Sequence, residues 1–312
     1  MGDRMEYGLG VDIGGTKINL GLIDEKNNLI AKKTVPVPND KSCRSVLSAA
    51  RGALDSLLTD NSISIDGIKT GGVGVPGTIS DDGLIAKKVP NLDWENVNAA
   101  DEFNKIFNIP AVLIQDSRAA AFGEYILGGH KNAKVLVCVT LGTGIGTGIV
   151  INGGVFGGGF GSAGEIGHVC VMPGGRECGC GKRGCLEKYA AGRGMEITAR
   201  EAFRDENITA PDIFEMAGKN NKTAADIING AVVLLGNAMV SIVNLLSPEV
   251  LLLSGGISRQ KKLFAEPLIS YIQEHAYSQS DDKKTHVGYA ALGEDAPMLG
   301  AALYPRFMAR LC

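Results

Sequence analysis

From Gly164 to Glu187 the chain reads GEIGHVCVMPGGRECGCGKRGCLE, with nine, one and four residues separating His168, Cys178, Cys180 and Cys185. Three thiolates and one imidazole complete a tetrahedral zinc shell and leave no position for water, the ligand set of a structural rather than a catalytic metal. The Gly- and Pro-rich run PGGRECGCGKRGC suits a tight knuckle over residues 168–185, and a dithiol redox centre would more typically show CxxC. Glu165 and Glu187 bracket the knuckle. Folded back by zinc they approach one another and could face a polyol; a pair of solvated acids is the plainer alternative.

Three glycine turns offer a second kind of chemistry. In DIGGTK, Gly14 and Gly15 let the backbone approach a ligand and present N–H groups to phosphate oxygens. Thr16 adds a hydroxyl, Lys17 a cation, and Asp12 a carboxylate able to hold Mg2+ through water. A tight hairpin turn explains this stretch equally well when it is taken alone. LGTGIG repeats the pattern with Gly142, Thr143 and Gly144, and LSGG adds Gly255 and Gly256 after another apolar run. Three such turns suit a nucleoside triphosphate. The chain has no GxxxxGK[ST], and no GxGxxG opens a helix, which argues against Walker NTPase and dinucleotide-binding readings. In QDSRAAAFGE, Asp116 falls where a strand gives way to a helix. A carboxylate there can take a proton from an attacking hydroxyl, although on spacing alone a helix cap explains it more simply.

These residues need a scaffold. YGLGVDI, INLGLID and NLIAKKTVPV read as three antiparallel strands, and RSVLSAARGALDSLL as a helix with Val46, Leu47, Ala50, Leu54, Leu57 and Leu58 on one face. IKTGGVGVPG and PAVLI read as buried strands, with a helix predicted over WENVNAADEFNKIF between them. AKVLVCVTLGTGIGTGIVI then repeats the strand, glycine turn and strand of the N-terminus. Two copies of one supersecondary unit predict an α/β fold made of a duplicated domain with a cleft between the copies. The glycine-rich run 153–164 is predicted to be a loop at that cleft. TAADIINGAVVLLGNAMVSIVNLL reads as a long helix, apolar nearly all round and hence centrally buried, and APMLGAALYPRFM as a terminal helix. The expected division is an N-terminal α/β domain, 1–118, completed by the C-terminal helix 298–312, and a larger C-terminal α/β domain, 119–297.

With 312 residues, 45% of them hydrophobic, the chain can bury a sizeable core. Its 31 basic and 34 acidic residues are spread without long runs, so there is no electrostatic footprint for nucleic acid or an anionic membrane, and a small molecule is the expected partner. The N-terminus lacks the apolar stretch of a signal peptide, and no uninterrupted apolar run approaches the ~20 residues that span a bilayer. A cytoplasmic location is expected. Seven cysteines, three of them crowded into the knuckle, suit a metal site in a reducing compartment better than a disulfide framework. Cys43, Cys138, Cys170 and Cys312 are expected to be buried or inert thiols.

Taken in order, DIGGTK, GVPG, the Asp116 motif, LGTGIG, GEIGH, CGCGKRGCLE, LSGG and ALGEDAPMLGAA resemble the glucokinase-like sugar kinases of the ROK (repressor, open reading frame, kinase) family over nearly the whole length. GEIGH followed by the cysteine knuckle is the distinctive part. DIGGTK begins at residue 12, leaving no room for the helix-turn-helix of the family's repressors, so the kinase branch is expected. The resemblance implies an actin-like, ribonuclease-H-like two-domain fold with ATP and Mg2+ in the interdomain cleft, a structural Zn2+, and a homodimer. It implies transfer of a phosphoryl group to a hexose, glucose at its 6-hydroxyl first, with Asp116 as general base. Asn91, Gln115, Glu165, His168 and Glu187 would hold the sugar, His168 doubling as zinc ligand. Lys17 and the glycine-threonine turns would face the phosphates, and Gly255 and Gly256 the adenosine. N-acetylmannosamine, N-acetylglucosamine, allose, fructose or a polyol are the alternative substrates, and a sugar-binding regulator without catalysis the alternative function. One departure bears on the substrate: where the family commonly has N-D-x-N, this chain has Gln115, Asp116, Ser117 and Arg118. Thr147, where glycine is frequent, is a milder one.

Overall fold

The computed structural model of the protein describes residues 6–277 and 284–309; Cys312 and the end of the expected terminal segment lie outside the described residues. The chain forms two compact units, one of Met1–Lys131, Gly154–Ala163 and Glu294–Cys312, the other of Asn132–Gly153 and Gly164–Gly293.

In the first unit, β1 (Tyr7–Ile13), β2 (Lys17–Ile23) and β3 (Leu29–Pro36) form the antiparallel start that alternation predicts. β1 is buried along its whole length: it lies inside the sheet, with the parallel strand β4 (Ile68–Val75) as its other neighbour, and the terminal helix packs against it. The sheet runs β3-β2-β1-β4-β8, with β8 (Ala111–Gln115) parallel to β4. The helix α1 (Cys43–Asp60) buries all six of the positions expected on its inner face, and its N-cap Ser42 accepts the Ser45 amide at 3.3 Å.

A small antiparallel sheet joins β5 (Thr78–Ile79), β6 (Ala86–Val89) and β7 (Trp94–Val97). The helix predicted from Trp94 therefore starts later, as α2 (Ala99–Phe107). The Asn98 side chain accepts the Asp101 amide at 3.0 Å and sets that start. Upstream of it the Trp94 indole donates to Lys41 O at 2.7 Å, so the apolar residues before Asn98 serve a strand.

α3 (Asp116–Leu127) follows β8 without a gap and lies in the first unit, packed against the terminal helix α9 (Ala296–Met308). A Cβ on Gly300 would come within 1.7 Å of Ala119 O, so glycine alone permits this approach. The two-residue strand β11 (Gly154–Val155) opens the glycine-rich segment grouped with this unit.

The second unit repeats the plan. β9 (Val135–Leu141) and β10 (Ile145–Ile151) form an antiparallel hairpin, and β12 (Val250–Ser254) runs parallel to β9 and to β13 (His286–Tyr289). The order β10-β9-β12-β13 matches β2-β1-β4-β8, as a duplicated unit requires. Four helices pack around α7 (Lys222–Leu246): α4 (Glu187–Ala190), α5 (Gly192–Phe203), α6 (Ala210–Gly218) and α8 (Glu266–His275).

By length and apolar composition α7 would suffice to cross a bilayer, and half of its most apolar window is buried. It is not buried all round, contrary to the sequence reading. Ile228, Leu235, Met239 and Ile242 face inward, while Asn229, Val233, Asn237, Ser241 and Asn244 form an exposed stripe at helical spacing.

Candidate active site

Parallel strands bring the first set of candidate residues to one edge of the first sheet. Register places Asp12 of β1 beside Gly74 of β4, and Gly74 beside Ile114 of β8. Asp12, the turn after Val75, and Gln115–Asp116 therefore sit at the carboxyl ends of neighbouring strands, where open α/β sheets hold ligands.

Asp12 is buried, and Asn19 Nδ2 donates to its Oδ2 at 3.1 Å across the hairpin. Burial pushes its carboxyl from 3.8 up to about 6, against the opposing effect of the Asn19 bond. A carboxylate held this way, by an amide and with its charge poorly solvated, fits a site completed by a bound cation. Gly14 donates its amide to Lys17 O at 2.8 Å to close the turn, leaving Thr16 and Lys17 exposed. A Cβ on Gly15 would lie 3.6 Å from that of Asn91, so the turn and Asn91 are neighbours. Asn91 is carried by the single helical turn Pro90–Leu92, anchored by buried Leu92.

Gln115 takes the cap position before α3, and Asp116 is the first helical residue. The cap position thus belongs to Gln115 and not to Asp116, whose Oδ1 accepts the adjacent Ser117 amide at 2.6 Å. Arg118 is buried, and its Nη2 donates to Gly161 O and Ala163 O at 2.9 Å each. The large cation at this position is committed to the backbone of the glycine-rich segment.

The second unit presents its turns in the same way. Leu141–Gly144 and Gly255–Gly256 follow β9 and β12, parallel neighbours that pair Thr140 with Ser254. Gly255 has φ +87°, which favours glycine. Gly142, Thr143 and Gly256 line a cavity of about 490 Å³ whose remaining wall includes Arg193, Phe214 and Gln260. Sequence reading found the glycines and missed these three. They lie on α5, α6 and the segment after β12, and no short motif joins them.

His168, Cys178, Cys180 and Cys185 converge, with one ligand atom from each lying within 4.8 Å of all the others. Cys178 Sγ is 3.6 Å from His168 Nδ1, and Cys180 Sγ is 3.6 Å from Cys185 Sγ. Ligand atoms of a tetrahedral zinc shell, with bonds of about 2.0–2.3 Å, stand roughly 3.5–3.8 Å apart. The donor set and these two separations fit zinc. Burial, then hydrogen bonds with Cys180 and Cys178, push the Cys185 thiol up to about 12, which a cation would reverse. His168 Nε2 points the other way, 4.0 Å from Glu165 Oε2.

Glu187, two residues past Cys185, does something that spacing did not suggest: its Oε2 accepts the Ile145 amide at 3.1 Å, reaching the second glycine turn. Asn91, Gln115 and Asp116 belong to the first unit, and Glu165, His168 and Glu187 to the second.

The sequence profile described as "ROK family" matches residues 8–306. A glucokinase of Halalkalibacterium halodurans is 31% identical over 315 residues, covering 96% of this chain and 94% of that protein. An N-acetylmannosamine kinase of Yersinia pestis is 30% identical over 306 residues, covering 97% and 99%. Among solved structures, a ROK glucokinase of Streptomyces griseus in complex with glucose and AMPPNP superposes with a TM-score of 0.81 at 28% identity, covering 96% of this chain and 99% of that one.

Proposed function

The chain belongs to the ROK family, and we propose from that membership that it is an ATP-dependent hexose kinase, acting on glucose at the 6-hydroxyl. The observation that carries this is the position of Asp116 at the start of α3, directly after β8, in a chain that aligns nearly end to end with proteins named glucokinase.

In this reading the Asp116 carboxylate accepts the proton of the attacking hydroxyl, whose oxygen forms the new bond to the γ-phosphorus as ADP leaves. Asn91, Gln115, Glu165, His168 and Glu187 hold the sugar hydroxyls. Lys17 and the Gly14–Thr16 and Gly142–Gly144 turns receive the phosphates, and the cavity beside Gly142, Thr143 and Gly256 takes the adenosine, with Phe214 offering an apolar wall. A divalent cation bound with ATP supplies charge neutralisation, and Asp12 would hold it. Zinc would be held by His168, Cys178, Cys180 and Cys185 as a closed clip. It would fix the His168 ring through Nδ1 and leave Nε2 for a sugar hydroxyl. A homodimer belongs to the same reading and is checked by sizing in solution.

A second substrate has support from a specific finding, the N-acetylmannosamine kinase similarity at 30% identity. A coupled ADP-release assay over glucose, N-acetylmannosamine, N-acetylglucosamine, allose and fructose separates the readings. Glucose is expected to give the highest kcat/KM. Turnover confined to N-acetylmannosamine would move the assignment to the second substrate, and binding without turnover of any sugar would point to a regulator.

A further inference from the structure

The turn at Gly142–Gly144 is tied to one short segment at both of that segment's ends. Gly192 donates its amide to Gly142 O at 2.9 Å, and five residues earlier Glu187 Oε2 accepts the Ile145 amide at 3.1 Å. Within the turn Gly142 donates to Gly144 O at 3.1 Å. A Cβ on Gly144 would lie 2.4 Å from Glu187 Oε2, so the carboxylate occupies the space a side chain would take. The turn is the same one whose Gly142 and Thr143 line the 490 Å³ cavity.

We propose that Glu187 is a positioning residue for the nucleotide turn as well as a sugar-binding residue, with Oε2 fixing the Ile145 amide and Oε1 left to accept from a sugar hydroxyl. A carboxylate that serves both sides transmits occupancy. Sugar bound at Oε1 restricts the side chain, which holds the turn in its phosphate-accepting form before the nucleotide arrives. By linkage the nucleotide raises sugar affinity by the same factor. The part of this that concerns coupling rests on the proposed sugar-kinase reading; the part that concerns the turn does not.

The test is calorimetric titration of Mg-AMPPNP into wild type, Glu187→Ala and Glu187→Gln, each without sugar and with saturating glucose. In the wild type, glucose is expected to tighten AMPPNP by about fivefold or more. Glu187→Ala should weaken sugar-free AMPPNP by about tenfold, the loss of one charge-assisted hydrogen bond, and bring the glucose factor close to one. Glu187→Gln retains an oxygen of the same reach for the Ile145 amide, so its sugar-free affinity should stay within about threefold of wild type, whereas Glu187→Leu, titrated alongside, keeps apolar bulk without an acceptor and should show the alanine loss, which a general packing role would not give. Gly144→Ala, which drives a methyl against Oε2, should reproduce the alanine loss with the carboxylate still present, and decides the matter if Glu187→Ala fails to fold.

Sugar-free AMPPNP binding by Glu187→Ala that equals or exceeds the wild type would overturn the proposal, since the carboxylate would then be idle or competing with phosphate for the amide. If glucose binds to none of the proteins, the substrate reading fails, while the sugar-free comparison still decides the role of Glu187 at the turn.

Discussion

Arg118 donates from Nη2 to the carbonyl oxygen of Ala163 at 2.9 Å, across 45 positions of sequence, and the same nitrogen reaches Gly161 O. A buried guanidinium thus holds the backbone that runs directly into Gly164 and Glu165. Arg118→Ala leaves both carbonyls without that donor and should cost about 2–3 kcal/mol, read as a lowered thermal midpoint. It should also raise the sugar KM roughly tenfold with a smaller change in kcat, a loss of ground-state and transition-state binding alike. Arg118→Lys keeps the charge without the planar fork and should recover only part of either loss. An unchanged sugar KM in Arg118→Ala would show that the segment it holds is not part of sugar recognition.

Asp116 carries the chemistry in the proposed mechanism, so Asp116→Asn should leave sugar affinity near the wild-type value and lower kcat by about 10²–10⁴-fold. Equilibrium sugar binding and steady-state turnover measured on one preparation separate the two effects. Turnover close to wild type would remove Asp116 from the base role.

Asp12 makes the stability of the metal-free protein depend on pH in a definite direction. Its folded carboxyl titrates near 6 against 3.8 unfolded, so between those values the folded state binds more protons than the unfolded one. Stability from this group is therefore present below about pH 4 and is lost as pH rises through about 6, by on the order of 3 kcal/mol. Urea unfolding of wild type and Asp12→Asn across pH 4 to 7 checks it: the asparagine variant should lack this part of the slope, and identical slopes would contradict the burial argument.

The four-ligand cluster should contain one zinc per chain by elemental analysis. Chelation, or Cys180→Ser, should lower the thermal midpoint and weaken sugar binding together, because the metal would hold the His168 ring and the segment leading to Glu187. A chelated protein with unchanged midpoint and unchanged sugar affinity would show that the cluster is not a clip.

Much of the scaffold was legible in local pattern. The β1–β2 hairpin and its repeat at β9–β10, the face of α1, and α9 over Ala296–Met308 all follow from alternation, helical spacing and glycine turns, which neighbouring residues encode. Two readings yielded to non-local forces. Trp94 and Val97 continue a helical pattern, yet they pair with β6 as a strand, since the β6 partners and the Lys41 carbonyl that holds the Trp94 indole lie outside the window, while the Asn98 cap within it marks where the helix starts. The composition of α7 suggested burial on every side, but composition does not say how many neighbours a helix will meet.

At the candidate site, the sequence by itself determined the chemical inventory: an Asp after an apolar strand, paired glycine-threonine turns, and four soft ligands at knuckle spacing. Those are properties of residue type and short separation, and they survive any arrangement of the rest. Only the tertiary structure decided where the long side chains end. Arg118 lies on the Gly161 and Ala163 carbonyls, Glu187 lies on the Ile145 amide, and Arg193, Phe214 and Gln260 line one cavity. Each of these contacts joins segments tens of residues apart, so it exists once helices and sheets have packed and the buried polar groups have found their partners.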